Sequence, residues 1–402
     1  MPTTTTVVVG AGHSGLSMSR HLAARSIDHV VLERGGVAHS WLTQRWDSLR
    51  LLTPNWMTRL PGLRYNGPDP DGYLSSRDFA TLLTSYAAGA PVRTHTAVRA
   101  VRPHELGFSV ETDTGTWHTR TVVLATGLTK RVLPSLTLPE GVASVAAADY
   151  KNPAQLPEGG VLVVGASSSG VQIAEEVHRS GRTVTLAVGE HVRLPRRYRG
   201  RDILWWMDAC GILDESTDGL DDLLRARNLP SMQLIGAPRT LDLNALQEQG
   251  VRLVGKLGAI RDGTALFSGA LRNVAALADL KLNRLLTTID EYAGGVGERF
   301  EPTVVGAAPL SLDLRSGEIR SVVWATGIEP DFSWLDVPAF DPRGRLKHTD
   351  GVVDWPGLYV TGLPALRRRR SSLIDGAAAD TGALSDHLTA HLDAVTTIGV
   401  TR

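Results

Sequence analysis

Gly10, Gly12 and Gly15 stand at the spacing G-x-G-x-x-G in "VVVGAGHSGLSMSRHLAARS". That spacing suits a pyrophosphate. The first glycine permits a tight turn, the second lets the anion approach the backbone, and the third lets helix pack on strand with its N-terminus facing the charge. Glu33 ends the next strand, "HVVLE", where a carboxylate accepts ribose hydroxyls. A second turn, "VLVVGASSSGVQIAEE", carries Gly165, Ser167 and Gly170, its middle serine adding a hydroxyl donor. No acid ends the strand that follows. "TLAVG" leads to Glu190 and then to Arg193, Arg196 and Arg197, basic residues that suit a 2′-phosphate. The bland alternatives are glycine turns kept only for packing, an empty duplicate, and arginines on a solvated face.

Each turn needs a strand before it and a helix after it. Residues 7–33 read as strand, turn, amphipathic helix and strand, and a second such unit opens at Val161. Residues 35–73, rich in Trp, Pro, Gly and Arg, read as an ordered, partly buried loop layer. A helix is expected over 75–88, with Ser76 or Asp78 near its start, and short strands follow through Gly127. Pro134, Pro139, Pro153 and Pro157 mark a crossing between domains. Residues 202–296 read mostly as helices, with Leu282, Leu285, Leu286 and Ile289 on one face. "EIRSVVWATGIEPD" echoes the earlier "VVLATG" and suggests a return to the first domain, closed by "GLYVTG" and a last helix near 376–391. The expectation is an α/β chain with two Rossmann-like dinucleotide-binding domains, the second inserted into the first. The first comprises residues 1–155 and 306–402, and the second residues 156–305 with a helical insertion.

Lys plus Arg and Asp plus Glu total 42 each, so no global charge favours nucleic acid or an anionic membrane, and small-molecule partners are expected. No stretch approaches the roughly 20 apolar residues of a membrane span. "MPTTTT" runs into the first strand without room for a signal peptide, so a cytoplasmic location is expected. Cys210 is the only cysteine, which excludes a CxxC redox pair, and no metal site is expected. No nucleophilic triad or carboxylate pair stands out. His13 and His191 read as loop residues with local hydrogen bonds, the arginines of 367–370 as a solvated loop or a contact for an acidic group, and "WWM" at 205–207 as core or cavity lining.

The order of full fingerprint, "ATG", G-x-S-x-S-G, second "ATG" and "GLYVTG" resembles the class B flavin-dependent monooxygenases over nearly the whole chain. That family includes the flavin-containing and indole-pyruvate monooxygenases, and "WDSLRLLTPNWMTRLP" is most similar to the indole-pyruvate branch. The resemblance implies FAD on the first turn, held by Gly10, Gly12, Ser14, Gly15, Glu33, Arg34, Trp41, Val98, Ala125, Thr126, Gly127 and Ile374. It implies NADPH, with NADH as the alternative donor, on Gly165, Ser167, Ser168, Ser169, Gly170, Arg193 and Arg196, and it makes Thr326 and Gly327 of the second "ATG" cofactor-binding residues within the returning part of the first domain. By its register the family's flavin-side asparagine falls at Leu52, with Thr53 and Asn55 beside it as catalytic candidates. Where the motif F-x-G-x-x-x-H-x-x-x-Y belongs, this chain has "EGVASVAAADY", with Val142 for the glycine, Ala146 for the histidine and Tyr150 in place. The implied reaction passes one atom of O2 to a small organic substrate, at nitrogen or sulfur, through a flavin C4a peroxide. A reductase passing electrons to a protein or quinone, and a non-catalytic dinucleotide sensor, remain as alternatives, and a homodimer is left open.

Overall fold

In the computed structural model the described residues are 2–105, 107–216 and 232–400, without the side chains of 396–400. Two parallel sheets organise them. The first runs Leu358–Val360, Gly115–Leu124, Thr3–Val9, His29–Leu32 and Val92–Arg93, extended at its edge by antiparallel strands. The second runs Ala143–Ala146, Ile319–Trp324, Gly160–Val164, Val184–Val188 and Arg252–Gly255, parallel throughout. Both sheets are covered on two faces, which is why their central strands are continuous apolar runs. Val7, Val8, Val122 and Val123 are fully buried in one, as are Val161, Val163 and Val323 in the other.

The two sheets share one plan. In each, the strand before the glycine turn lies between the strand after the following helix and a strand ending in Ala-Thr-Gly. The chain is thus α/β with two dinucleotide-binding units, one inserted in the other. Its boundaries differ from those expected. Ile319–Trp324, read as the return to the first domain, sits inside the second sheet, and Ala143–Ala146 joins that sheet before residue 156. The echo misled because it marks the same strand in each copy. The crossings fall just after each Ala-Thr-Gly, where Lys130–Arg131 pairs antiparallel with Ile328–Glu329.

Local chemistry sets the helices that hold the turns. His13–Ala24 packs against the terminal helix Gly376–Val400, with Ser17 Oγ and Thr381 Oγ1 2.7 Å apart in the buried contact. Ser76–Tyr86 starts at Ser75, whose hydroxyl accepts the Asp78 N–H in a capping box, one residue before the expected start. The long helix Leu271–Ala293 buries Leu282, Leu286 and Ile289, with Leu285 partly buried beside them, against Trp206 and Met207. The loop after Gly35 contributes to both domains. Leu51 enters the first core, while Trp46 and Leu49 enter the second.

Candidate active site

The two glycine turns repeat one geometry. Gly10 has φ +108° and Gly165 φ +109°, a region that L side chains rarely adopt. A Cβ on Gly10 would meet the Ala125 carbonyl oxygen at 2.6 Å, and one on Gly165 would meet that of Ala325 at 2.4 Å. Gly15 and Gly170 let helix press on strand, since a Cβ there would lie 1.9 Å and 1.8 Å from the carbonyl oxygens of Gly10 and Gly165. Gly12 differs in kind: nothing lies within 4 Å of its Cβ position, which opens on a cavity of about 420 Å³. The second turn opens on a cavity of about 740 Å³.

Both helices begin without a side-chain cap and without an acid in the first turn. Their first N–H groups and positive dipole ends therefore face the cavities, the arrangement that accepts an anion. In the smaller cavity the buried Ser14 Oγ, Thr126 Oγ1 and His13 Nε2 have no partner within the protein. Such groups are costly to leave unpaired, and a dinucleotide's phosphates and sugars would satisfy them. The residues present thus fit a flavin dinucleotide. Glu33, almost fully buried, is aimed by two backbone donors, with Oε2 accepting Ala11 N–H at 2.8 Å and Oε1 accepting Gly35 N–H at 3.0 Å.

Of the expected flavin residues, Gly10, Gly12, Ser14, Glu33, Arg34, Trp41, Val98, Ala125, Thr126 and Gly127 line the smaller cavity. Gly15 lies behind it, and Ile374 is buried in the apolar core with Ala377 and Leu384, leaving Gly362, Pro364 and Ser372 to face the space from that end. Gly165, Ser167, Ser168, Ser169, Thr326 and Gly327 line the larger cavity with Ala146, and Gly170 packs behind.

Other expectations are corrected. Arg193 is buried between Asp242 and Asp279, with Nη1 also donating to the Glu301 carbonyl at 2.7 Å. Arg196, 1% exposed, binds Asp202 and donates to the carbonyls of Leu52 and Ile235 at 2.8 and 3.2 Å. Both guanidiniums are spent on internal acceptors, so neither meets a 2′-phosphate in this arrangement. Arg197 sits in an exposed hairpin, donating to Gly200 O at 2.7 Å. Asn55 is a loop clamp, donating to the Asp69 carbonyl at 2.9 Å and accepting Leu74 N–H at 2.8 Å, and neither it nor the buried Thr53 lines either of these two cavities. The arginines of 367–370 are each drawn into ion pairs within the chain. Arg370 bridges Asp208, Asp214 and Asp375, and Arg369 pairs with Glu215, tying the C-terminal part to the 203–215 segment. Trp206 of "WWM" takes the core reading that the sequence offered, its indole N–H donating to Tyr198 O at 2.7 Å.

Sequence reasoning missed what joins the two cavities. Trp41, Arg45 and Ile328 line both. His13 and Trp41 meet edge to face at 6.4 Å, and the Arg45 guanidinium stacks 5.0 Å from the Trp41 ring centroid. Burial, with Arg45 nearby, lowers the His13 pKa to about 4, so its imidazole is neutral at pH 7. Burial also lowers the Arg45 pKa. The signal was a basic residue set between Trp41 and Trp46. The larger cavity also holds Lys256, whose Cγ lies 3.9 Å from the Cβ position of Gly189 at the end of the second strand. Cys210 lines neither cavity, and among the described residues no group of three metal-ligating side chains occurs and no helix is long and apolar enough to cross a membrane.

Comparison with known proteins agrees with this geometry. Residues 7–200 match the pyridine nucleotide-disulphide oxidoreductase family. A CzcO-like oxidoreductase of Geobacillus kaustophilus is 30% identical, covering 96% of this chain and 98% of its own length. Indole-3-pyruvate monooxygenase YUCCA8 of Oryza sativa is 27% identical over 89% of this chain and 85% of its own length. A flavin-containing monooxygenase from Stenotrophomonas maltophilia shares the fold, with a TM-score of 0.65 at 20% identity, covering 98% of this chain and all of its own.

Proposed function

The chain belongs to the family of the CzcO-like oxidoreductases and flavin-dependent monooxygenases, and from that premise we propose that it is an FAD-dependent, NADPH-driven monooxygenase. One atom of O2 enters a small organic substrate at nitrogen or sulfur. The other leaves as water with the two electrons of NADPH and one added proton.

The observation that carries this reading is the shared wall of Trp41, Arg45 and Ile328. With a pyrophosphate on each glycine turn, two dinucleotides would extend into cavities that meet there. A bound flavin supplies hydride acceptance and oxygen activation; the protein's work is to position, polarise and exclude water. The turns at Gly10–Gly15 and Gly165–Gly170 fix the phosphates, Glu33 fixes a ribose, and Trp41 backs the junction. His13, neutral and buried, offers an unpaired ring nitrogen to the flavin without adding charge. With one cysteine in the chain, no dithiol can carry electrons away.

NADPH is favoured by Lys256, placed beside Gly189 where a 2′-phosphate would lie and without an ion pair among the described residues. Glu190 lines the same cavity and would select NADH instead if it, rather than Lys256, faced the ribose. The test is to incubate the NADPH-reduced protein with labelled O2 and a panel of thioethers and amines. Label in the organic product supports oxygen insertion. Complete conversion of O2 to hydrogen peroxide, with rapid electron transfer to ferredoxin or quinone, replaces it with the reductase reading.

A further inference from the structure

Arg45 is the anomaly of the junction. Each of the three buried arginines among the described residues has a carboxylate: Arg193 has two, Arg196 one and Arg370 three. Arg45 has none among the described residues. Among the described residues its guanidinium, with five N–H donors, makes one hydrogen bond, from Nη1 to the adjacent Gln44 carbonyl at 2.8 Å. Trp41 covers one face, and stacking leaves the edge of the planar fork open. The loop is nonetheless held in place. Lys151 Nζ donates to the carbonyls of Thr43 and Arg45, the latter at 3.0 Å, and Asp47 N–H donates to Lys151 O at 2.8 Å. A half-buried cation whose loop is held this firmly, with no counter-charge among the described residues, is well served by a ligand that supplies one.

Each candidate cofactor phosphate already has a cradle: the uncapped helix at His13 for one, the uncapped helix at Ser168 for the other. Arg45 belongs to neither turn. It stands on the wall common to both cavities, where the reacting ends of two dinucleotides would meet and where a substrate must therefore enter. We propose that the Arg45 guanidinium is the subsite for a carboxylate carried by the substrate, so that the preferred substrates are small organic acids. This rests on the monooxygenase reading and names its substrate class. The planar fork matches a carboxylate in two parallel hydrogen bonds, which also fixes the substrate's orientation.

The test uses the flavin-loaded enzyme titrated with (benzylthio)acetate and with its methyl ester, followed by perturbation of the flavin absorption bands. The acid should bind at least about tenfold tighter than the ester, and Arg45→Gln should abolish that difference. Ester affinity, flavin content and the NADPH dissociation constant should stay within about twofold of wild type, and Arg45→Lys should keep part of the preference because charge remains while the fork is lost. An acid that binds no better than its ester overturns the proposal. So does an Arg45→Gln variant that sheds flavin or weakens NADPH with the acid-to-ester ratio unchanged, since the arginine then serves a cofactor. If the purified chain takes up no flavin, the monooxygenase reading fails on that ground, and calorimetry of the flavin-free chain with acid and ester still decides the carboxylate subsite.

Discussion

Arg131 pairs with Ile328 in a two-residue antiparallel ribbon, the point at which the chain both leaves and re-enters its first domain. Arg131 also binds Asp149, and Val132 N–H donates to Gly327 O at 3.2 Å, so the two crossings are fastened to each other and to the linker. Ile328 forms part of the wall between the cavities, which places the crossing beside the proposed chemistry.

Gly12→Val should leave a folded, colourless protein. Its Cβ meets no protein atom within 4 Å, so the side chain occupies only the space proposed for the pyrophosphate. Gly15→Val should instead fail to fold, because its Cβ would lie 1.9 Å from the Gly10 carbonyl oxygen. Visible absorption and circular dichroism on the two variants separate these outcomes; a yellow Gly12→Val protein contradicts the seating of the flavin.

Ser167→Leu should slow reduction of the flavin by NADPH at least about tenfold, about 1.4 kcal/mol of lost interaction, without lowering flavin content. Reduction by dithionite should be unchanged, since the substitution lies in the larger cavity. Stopped-flow absorbance with both reductants reads the difference.

Arg196→Ala should cost about 3 to 5 kcal/mol in urea unfolding, as removal of one partner leaves Asp202 and two buried carbonyls unmatched. Arg193→Ala should be of similar size because it strands Asp242 and Asp279. Neither should change the ratio of NADPH to NADH dissociation constants, whereas Lys256→Gln should lower the preference for NADPH. A selective loss of NADPH binding in the arginine variants would restore them to the nucleotide site.

His13 gives a pH signature. Its folded pKa, near 4 through burial and then Arg45, lies below the ordinary 6.5. Between those values the unfolded chain binds the extra proton, so stability is full above about pH 6.5 and declines as pH falls toward 4. The loss approaches about 3 kcal/mol at the acid end. Flavin-free His13→Gln should show a flatter unfolding profile over this range, and an unchanged slope would place the titration elsewhere.

The glycine turns, their flanking strands and Glu33 were legible in the sequence because each is local: spacing alone sets the turn, and a strand-end acid sits where the sheet must put it. Arg193 and Arg196 were misread because their partners, Asp242, Asp279 and Asp202, are recognised only once the chain has folded around them. The register that pointed to Thr53 and Asn55 missed for a related reason, since Asn55 is drawn off to bind Asp69 and Leu74. Arg45 escaped notice because its importance lies in a partner it lacks, and an absent neighbour leaves no mark in spacing or composition. The second Ala-Thr-Gly was correctly seen as an echo and wrongly assigned, as two copies of one sheet plan produce the same words in different domains.

The crossing ribbon makes the inserted domain a guest with a single doorway. Because Thr129 N–H donates to Glu329 O at 2.9 Å, the incoming and outgoing strands are within one hydrogen bond of each other, and a cut-and-join there changes little of the host's path. A lineage could therefore exchange one nucleotide-binding module for another by recombination at this site, keeping its first domain while changing the nicotinamide nucleotide it takes. The fee for such an exchange would fall on the host groups that engage the guest: Trp46 and Leu49, which pack into its core, the Leu52 carbonyl that Arg196 holds, and Arg370, which binds Asp208 and Asp214.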